Sequence, residues 1–472
     1  MLTKADISQI ESQGLSVEEI ENQIRKFKVG NIPVQIVAPA TIGNGIMSLS
    51  KEQIEYFLHK YEDNLEFRNI VKFVPASGAS SRMFKDLFSY LEDISKNSAH
   101  QVDIINQEHK VKDFFQSIQN FAFYDELEKT MAIDGVNLQR KLKLEHHSII
   151  LEYLLTSKGL NYGYLPKALI GFHKQGNKTR KAIDEHLVEG ALYAKNGDNT
   201  VNIHFTISPE HENLISDYLS TIIPYYEKEY KVKYNINWSF QYSTTDTIAV
   251  DSNNNPFRDE NGKLLFRPAG HGALIQNLNA IDSDLIFIKN IDNVTTDSLK
   301  HNTLLYKKVL AGVLIDFEET IHRNKDILLT KLNRPIRVCG MVKNESEPGG
   351  GPFFVKDKNG NISLQIVEKA QIDTTDPQRK EILDKSTHFN PVDIVASIKN
   401  YLGNSFDLNQ FIDNDSYIIS TKSKDGKEIK ALELPGLWNG AMSDWNTLFV
   451  EVPLSTFSPV KEIQDLLRKE HY

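Results

Sequence analysis

The chain has 472 residues, 40% of them hydrophobic and 25% charged, with a formal net charge of −9. That balance supports a sizeable core and argues against disorder, and without a long basic block it excludes unspecific attachment to nucleic acid or anionic membranes. A single cysteine, Cys339, excludes a disulfide framework and cysteine-based zinc sites and favours a reducing cytosol. The N-terminus lacks a secretory pattern and no apolar run reaches membrane-spanning length, so the expected protein is soluble and cytoplasmic.

From Thr3 to about Phe67 the pattern predicts helices with interruptions, as in Val17-Glu-Glu-Ile20-Glu-Asn-Gln-Ile24. Gly30, Pro33, Pro39 and Gly43-Asn44-Gly45 predict a loop leading to a second helix near Lys51–Tyr61. The apolar run Ile70-Val71-Lys72-Phe73-Val74 is a buried strand that runs straight into Pro75-Ala-Ser-Gly78-Ala-Ser-Ser-Arg82-Met83, with a helix opening from about Phe84. Such a loop turns backbone N–H groups toward a helix start, where phosphate binds, and small residues around Gly78 leave room for it. Arg82 adds a forked donor for phosphate oxygens. The loop is not a P-loop, and a tight strand-to-helix turn is the plain alternative.

A largely helical stretch is expected from Phe84 to about Thr156, followed by the short apolar segment Pro166–His173 around Lys167. Lys181–Ala194 predicts an amphipathic helix with Ile183, Leu187, Ala191 and Ala194 on one face. Val201–Ile207 alternates as a strand, and Ser208-Pro209-Glu210 predicts an N-capped helix start. Asn235–Gln241 is a further strand, Leu285–Ile288 a buried one, and a long helix is expected around Leu304–His322. From Pro335 onward strands are separated by glycines. This alternation predicts a mainly parallel sheet covered by helices on both faces.

Asp292 follows the strand Leu285–Ile288, on the rim where open α/β sheets bind ligands. There it either holds Mg²⁺ against substrate phosphates or caps a helix beginning after Val294. Pro268-Ala-Gly270-His271-Gly272 is a second glycine loop before a helix, suited to a base or sugar, or a simple turn. Glu368, at the end of a strand, either accepts hydrogen bonds from sugar hydroxyls or is an ordinary edge residue. Gly340 and Gly349-Gly350-Gly351 either approach a ligand or are flexible. His146-His147 and the His204/His211 pair lack metal-ligand spacing with carboxylates and read as structural, and Cys339 reads as a buried strand residue. Pro435–Trp445, aromatic and glycine-rich, is either a substrate wall or packing of a late segment.

In order, Ser77-Gly78-Ala79-Ser-Ser-Arg82-Met83, Leu165-Pro-Lys167-Ala, Phe240-Gln241, Pro268-Ala-Gly270-His271-Gly272, Asn290-Ile-Asp292 and Ile366-Val-Glu368 resemble the successive motifs of UDP-N-acetylhexosamine and UDP-sugar pyrophosphorylases. Those enzymes belong to the nucleotide-diphospho-sugar transferase superfamily. Nearly the full length also resembles a bacterial domain-of-unknown-function family of that superfamily, typical of Bacteroidetes. The resemblance implies a Rossmann-like α/β nucleotidyltransferase fold over 69–390, with a helical insertion at about 86–158, an N-terminal helical extension over 1–68 and a C-terminal α/β extension over 391–472. It implies that Ser77, Gly78 and Ala79 cradle the nucleotide phosphates, with Arg82 and Lys167 catalytic and Asp292 binding Mg²⁺. Gln241, Gly270, His271 and Gly272 would meet the nucleotide, and Glu368 and Asn390 the sugar. The partners implied are a nucleoside triphosphate, UTP-like, and a sugar 1-phosphate, joined with release of pyrophosphate.

The chain departs from that pattern at Ala76 and Ser77, where the family carries glycines, at Ser81 for threonine, and at His271 for asparagine. The long insertion leaves Lys85 as an alternative to Lys167. A metal-dependent glycosyltransferase, using Asp282 or Asp284 beside Asp292, and an inactive nucleotide-binding scaffold remain alternatives.

Overall fold

The structure, a computed structural model, describes residues 2–96, 108–176, 178–324, 331–345, 349–424 and 426–471. The chain forms two compact units. The first comprises Met1–Phe73, Ser239–Ile288 and Tyr306–Leu454, and the second Val74–Trp238, Lys289–Leu305 and Ser455–Tyr472.

The main sheet of the first unit is mixed but mostly parallel. Ile70–Pro75 pairs parallel with Leu285–Lys289, and Ile336–Lys343 pairs parallel with Asn446–Glu451 and antiparallel with Asp393–Ser397. These are near-continuous apolar runs, as strands covered on both faces require. Ile286, Ile288, Cys339, Met341, Ile394, Ala396 and Phe449 meet Leu274, Leu278 and Trp445 in one buried cluster. Cys339 is a core residue whose thiol burial pushes up to about 11.

The N-terminal segment is less purely helical than its sequence predicts. Capping boxes at Thr3, Ser16 and Ser50 start the helices Lys4–Ser12, Val17–Val29 and Lys51–Glu62. Between them the expected loop is folded into strands. Ile36–Pro39 pairs with Gly351–Lys356, and Gly45–Met47 lies parallel to Asn446–Glu451 at the edge of the main sheet. Backbone pairing needs a partner strand from distant sequence, so these short runs carry too little local pattern to read. The third helix lies close on the long helix Lys300–Arg323: a Cβ on Gly312 would sit 1.9 Å from the Phe57 carbonyl oxygen.

The second unit carries the strands Thr200–Ile207 and Lys233–Phe240 (to Trp238) and a hairpin of Gly171–Gln175 with Lys178–Lys181. Its helices include Lys85–Lys96, His109–Ser117, Tyr124–Ile133 and His147–Leu155. Residues 97–107 of the expected helical stretch lie outside the described residues.

The helix Ala182–Tyr193 corrects the amphipathic expectation, for all of it but Leu192 is buried and it carries Asp184, Glu185, His186 and Glu189 inward. The two glutamates are paired with cations, and Asp184 accepts from the Tyr218 hydroxyl at 2.8 Å. Glu185 takes His173 Nδ1 at 2.8 Å and Lys300 Nζ at 2.5 Å, with Arg180 at 3.6 Å, and Glu189 takes Lys289 Nζ at 2.7 Å. Periodicity counts residue types and cannot foresee that a charged face will be met by counter-charges from distant segments.

Ser208 stands at the expected N-cap position with Pro209 first in the turn that leads into the helix Glu212–Tyr230, but its side chain does not cap. A 3₁₀ turn, Pro209–His211, starts there without a side-chain cap, and the Ser208 hydroxyl donates instead to the Ser77 carbonyl at 3.1 Å.

Candidate functional site

Because Ile70–Pro75 and Leu285–Lys289 are parallel, in register from Ile70 with Leu285 to Phe73 with Ile288, their following segments leave from the same sheet edge. Both segments, Ala76–Arg82 and Asn290–Asn293, belong to the second unit. The Ile291 N–H donates to the Pro75 carbonyl at 3.2 Å, tying them together.

The loop is held from behind by Tyr162–Lys167. Buried Ser80 places its hydroxyl 2.5 Å from the Tyr162 carbonyl and 2.7 Å from that of Leu165, and the Lys167 N–H donates to the Gly78 carbonyl at 3.1 Å. Pro166 presets an extended backbone before the turn Lys167–Leu169. On the other side Gly78 faces open space, since a Cβ there would meet nothing within 4 Å. Arg82 is exposed and its guanidinium has no partner among the described residues.

Lys167 joins the two segments. Its ammonium donates to Asp292 Oδ2 at 2.9 Å and to the Val460 carbonyl at 2.8 Å. The two side chains are 14% and 21% exposed, screened from bulk water yet reachable. The next helical turn, Asp297–Leu299, is preceded by Thr296, so Asp292 caps nothing there. Lys167, not Lys85, meets Asp292; Lys85 is exposed at the start of Lys85–Lys96.

Asp292 Oδ1 has no partner among the described residues, and no group of three His, Cys, Asp or Glu there has the geometry to hold a metal. One open carboxylate oxygen beside an ammonium does not make a resident metal site. It does fit a Mg²⁺ ion that arrives on phosphate and keeps most of its oxygen ligands from phosphate and water.

The first unit holds the other expected residues. Gly270 has φ +75°, which favours glycine, and it opens the turn Gly270–Ala273. The His271 ring stacks on Trp438, with centroids 4.1 Å apart and planes 15° from parallel. The Leu437 N–H donates to His271 Nδ1 at 3.0 Å, which places the imidazole proton on Nε2, facing Glu368 Oε1 at 3.6 Å. Asn439 Nδ2 donates to the same Oε1 at 2.6 Å. The His271 N–H directed at it, assisted by Asn439, holds the Glu368 carboxyl below its ordinary range despite burial. The carboxylate is therefore ionised and oriented.

Gly272 is explained differently from its sequence reading. A Cβ there would lie 2.3 Å from the Pro435 carbonyl oxygen, so the space it leaves is filled by the chain's own backbone. Gln241 keeps Nε2 buried without a partner. Asn390 accepts from the Val392 N–H at 2.6 Å through Oδ1, while its Nδ2 is buried and unpartnered.

The structure thus gathers Ser77, Gly78, Ala79, Arg82, Lys167 and Asp292 in the second unit, and it joins His271 to Glu368 in the first. Trp438 and Asn439 were missed individually, although the aromatic, glycine-rich composition around them was a signal. Val460 left no signal, because it acts through a main-chain carbonyl. Asp282 and Asp284, in the first unit, are both engaged with Lys399, at 2.8 and 2.9 Å.

Among solved structures, the uridine diphosphate N-acetylglucosamine pyrophosphorylase of Trypanosoma brucei, in complex with an inhibitor, is 12% identical with a TM-score of 0.53. The match covers 99% of this chain and 79% of that one. A variant UDP-glucose pyrophosphorylase of Leishmania major is 14% identical with a TM-score of 0.49, over 99% of this chain and 79% of its own. The likeness is one of fold, and the α/β fold is that of a nucleotidyltransferase. No curated protein matches the sequence. Residues 3–328 and 319–472 match the family described as Domain of unknown function (DUF4301), and the chain belongs to that family.

Proposed function

We propose that the protein is a sugar-nucleotide pyrophosphorylase, joining a UTP-like nucleoside triphosphate to a sugar 1-phosphate with release of pyrophosphate. The observation that carries this reading is the Lys167–Asp292 pair, 2.9 Å apart, beside the open face of Gly78 and the unpartnered Arg82. Attack of a sugar-phosphate oxygen on the α-phosphorus needs no general base, because the nucleophile is already ionised. What it needs is positioning and neutralisation of charge on the transferring group.

Backbone groups of Ser77, Gly78 and Ala79 take the phosphates, and Arg82 offers them a forked donor. Lys167 holds a cation close to the transferring group, oriented by its two oxygen partners. Mg²⁺, when carried in by the nucleotide, supplies further charge neutralisation at Asp292. Glu368, ionised and fixed by Asn439 and His271, is suited to accept hydrogen bonds from sugar hydroxyls. Gln241, Gly270 and His271 are assigned to the nucleotide and Asn390 to the sugar, while Gly272 supports that loop.

The deciding assay supplies UTP, Mg²⁺ and a panel of sugar 1-phosphates and follows pyrophosphate. Release that requires both substrates is expected. Nucleotide binding with no turnover across the panel would leave a binding protein instead.

A further inference from the structure

The segment that begins at Ser455 is hydrogen-bonded to both Lys167 and Asp292 in the second unit, a contact that no local pattern in its residues predicts. Asn302 Nδ2 donates to Ser455 Oγ at 2.8 Å, and the Ser458 N–H donates to Asn293 Oδ1 at 2.9 Å. Pro459 forms an antiparallel bridge with Asn293, and the Val460 N–H donates to the Asp292 carbonyl at 3.0 Å. The carbonyl of the same Val460 receives the Lys167 ammonium, and the Ile463 N–H donates to the Met83 carbonyl, next to Arg82, at 3.2 Å. Within four residues the segment is bonded to the Asp292 backbone, to the Lys167 side chain and to the end of the phosphate loop.

Its far end is fastened deep in the unit. The Glu470 carbonyl accepts from Thr295 Oγ1 at 2.9 Å and from the Thr296 N–H at 3.1 Å. His471 is buried, lies parallel to His173 and places Nδ1 2.8 Å from His173 Nε2, while His173 Nδ1 faces Glu185. Val460, Ile463 and Leu466 are also buried, so the segment is seated along its length.

We propose that residues 455–471 form a positioning strap, pinned by His471, that sets the Lys167 ammonium through the Val460 carbonyl. A lysine has four side-chain torsions, and a single carboxylate leaves its ammonium free to pivot. A second acceptor on a segment buried and bonded along its length removes that freedom before any phosphate arrives, which is preorganisation of the kind charge stabilisation requires. His471 and Val460 are positioning residues; neither needs to meet a substrate. The proposal rests on the reading of Lys167 as the phosphate-facing cation, but its first test is independent of that reading.

That test is trace acetylation of Lys167 with acetic anhydride, read by mass spectrometry against the other lysines. His471→Ala should raise Lys167 labelling about threefold or more by local opening of the strap. His471→Gln, which retains a hydrogen-bonding group, should restore slow labelling. Ile203→Ala, a core change elsewhere in the unit, controls for lost stability and should leave Lys167 protected. Should His471→Ala not fold, Asn293→Ala loosens the strap at its other end and is read in the same way.

The second measurement is the dissociation constant for UTP with Mg²⁺. His471→Ala is expected to weaken it about tenfold, and Lys167→Ala/His471→Ala to be no weaker than Lys167→Ala, because the strap acts through that lysine. Unchanged Lys167 labelling in a folded strap variant, or additive losses in the double variant, would overturn the strap. A wild-type protein that binds no UTP, with the labelling result intact, would sink the nucleotide reading and leave the strap standing.

Discussion

Two ionic groups in the second unit are both built from carboxylates and basic side chains and differ in how completely those are partnered and buried. Around Glu185 every charge is answered: His173 and Lys300 bond its two oxygens, Lys300 also reaches Asp297 at 2.9 Å and the Thr295 carbonyl at 2.7 Å, and Arg180 bonds Asp297 at 2.7 Å. Around Lys167 and Asp292 the charges are only partly answered, with Asp292 Oδ1 open, Arg82 unpartnered and the side chains within reach of solvent. A saturated buried network supports the fold, and removing a member strands a charge in low dielectric. An unsaturated one at a sheet rim has valences left for a ligand, and removing a member costs the fold little. Completeness of partnering, rather than the presence of charge, separates scaffold from site.

The sharpest way to break this comparison is to exchange the expected costs. Glu185→Ala should destabilise the protein by about 3–5 kcal/mol, because Lys300 and His173 lose a buried partner. Chemical denaturation measures it, and a loss under about 1 kcal/mol would show that the network is not structural. Asp292→Asn should behave in the opposite way. It keeps shape and hydrogen bonding, so stability should change by about 1 kcal/mol or less, whereas pyrophosphate release should fall at least about a hundredfold. Normal Mg²⁺-dependent turnover in that variant would refute the role assigned to Asp292.

Acid should act beside the saturated network, at His471, which meets His173 through Nδ1. Burial holds the His471 imidazole down at about 3, against 6.5 for the free side chain, so protonation favours the unfolded chain. Its contribution is whole above pH 6.5 and is lost as pH falls through 6.5 toward 3. Between pH 7 and pH 5 the loss should be about 2 kcal/mol. His471→Gln should flatten that part of the stability profile, and an unchanged slope would contradict the assignment. The smallest effect is expected at Arg82. Arg82→Ala should leave the melting temperature in place and weaken nucleotide binding about tenfold, as measured by calorimetry. If the variant unfolds instead, the loop is a structural turn.

The sequence by itself determined the alternation of strands and helices, the buried strands Ile70–Val74 and Leu285–Ile288, and the loops that follow them. Apolar runs and glycine-rich breaks are local signals, and two parallel strands must release their loops at one edge. Ordered motifs also led to Lys167 and Asp292 as separate candidates, 125 positions apart, but not to their contact. Tertiary structure alone decided that contact, that Lys167 and not Lys85 makes it, and the seating of Val460 on both. It also turned the expected amphipathic helix at Ala182–Tyr193 into a buried one, diverted Ser208 from capping to the Ser77 carbonyl, and filled the space beside Gly272 with Pro435. Each depends on a partner far away in the chain, often a main-chain carbonyl whose position no side-chain pattern records.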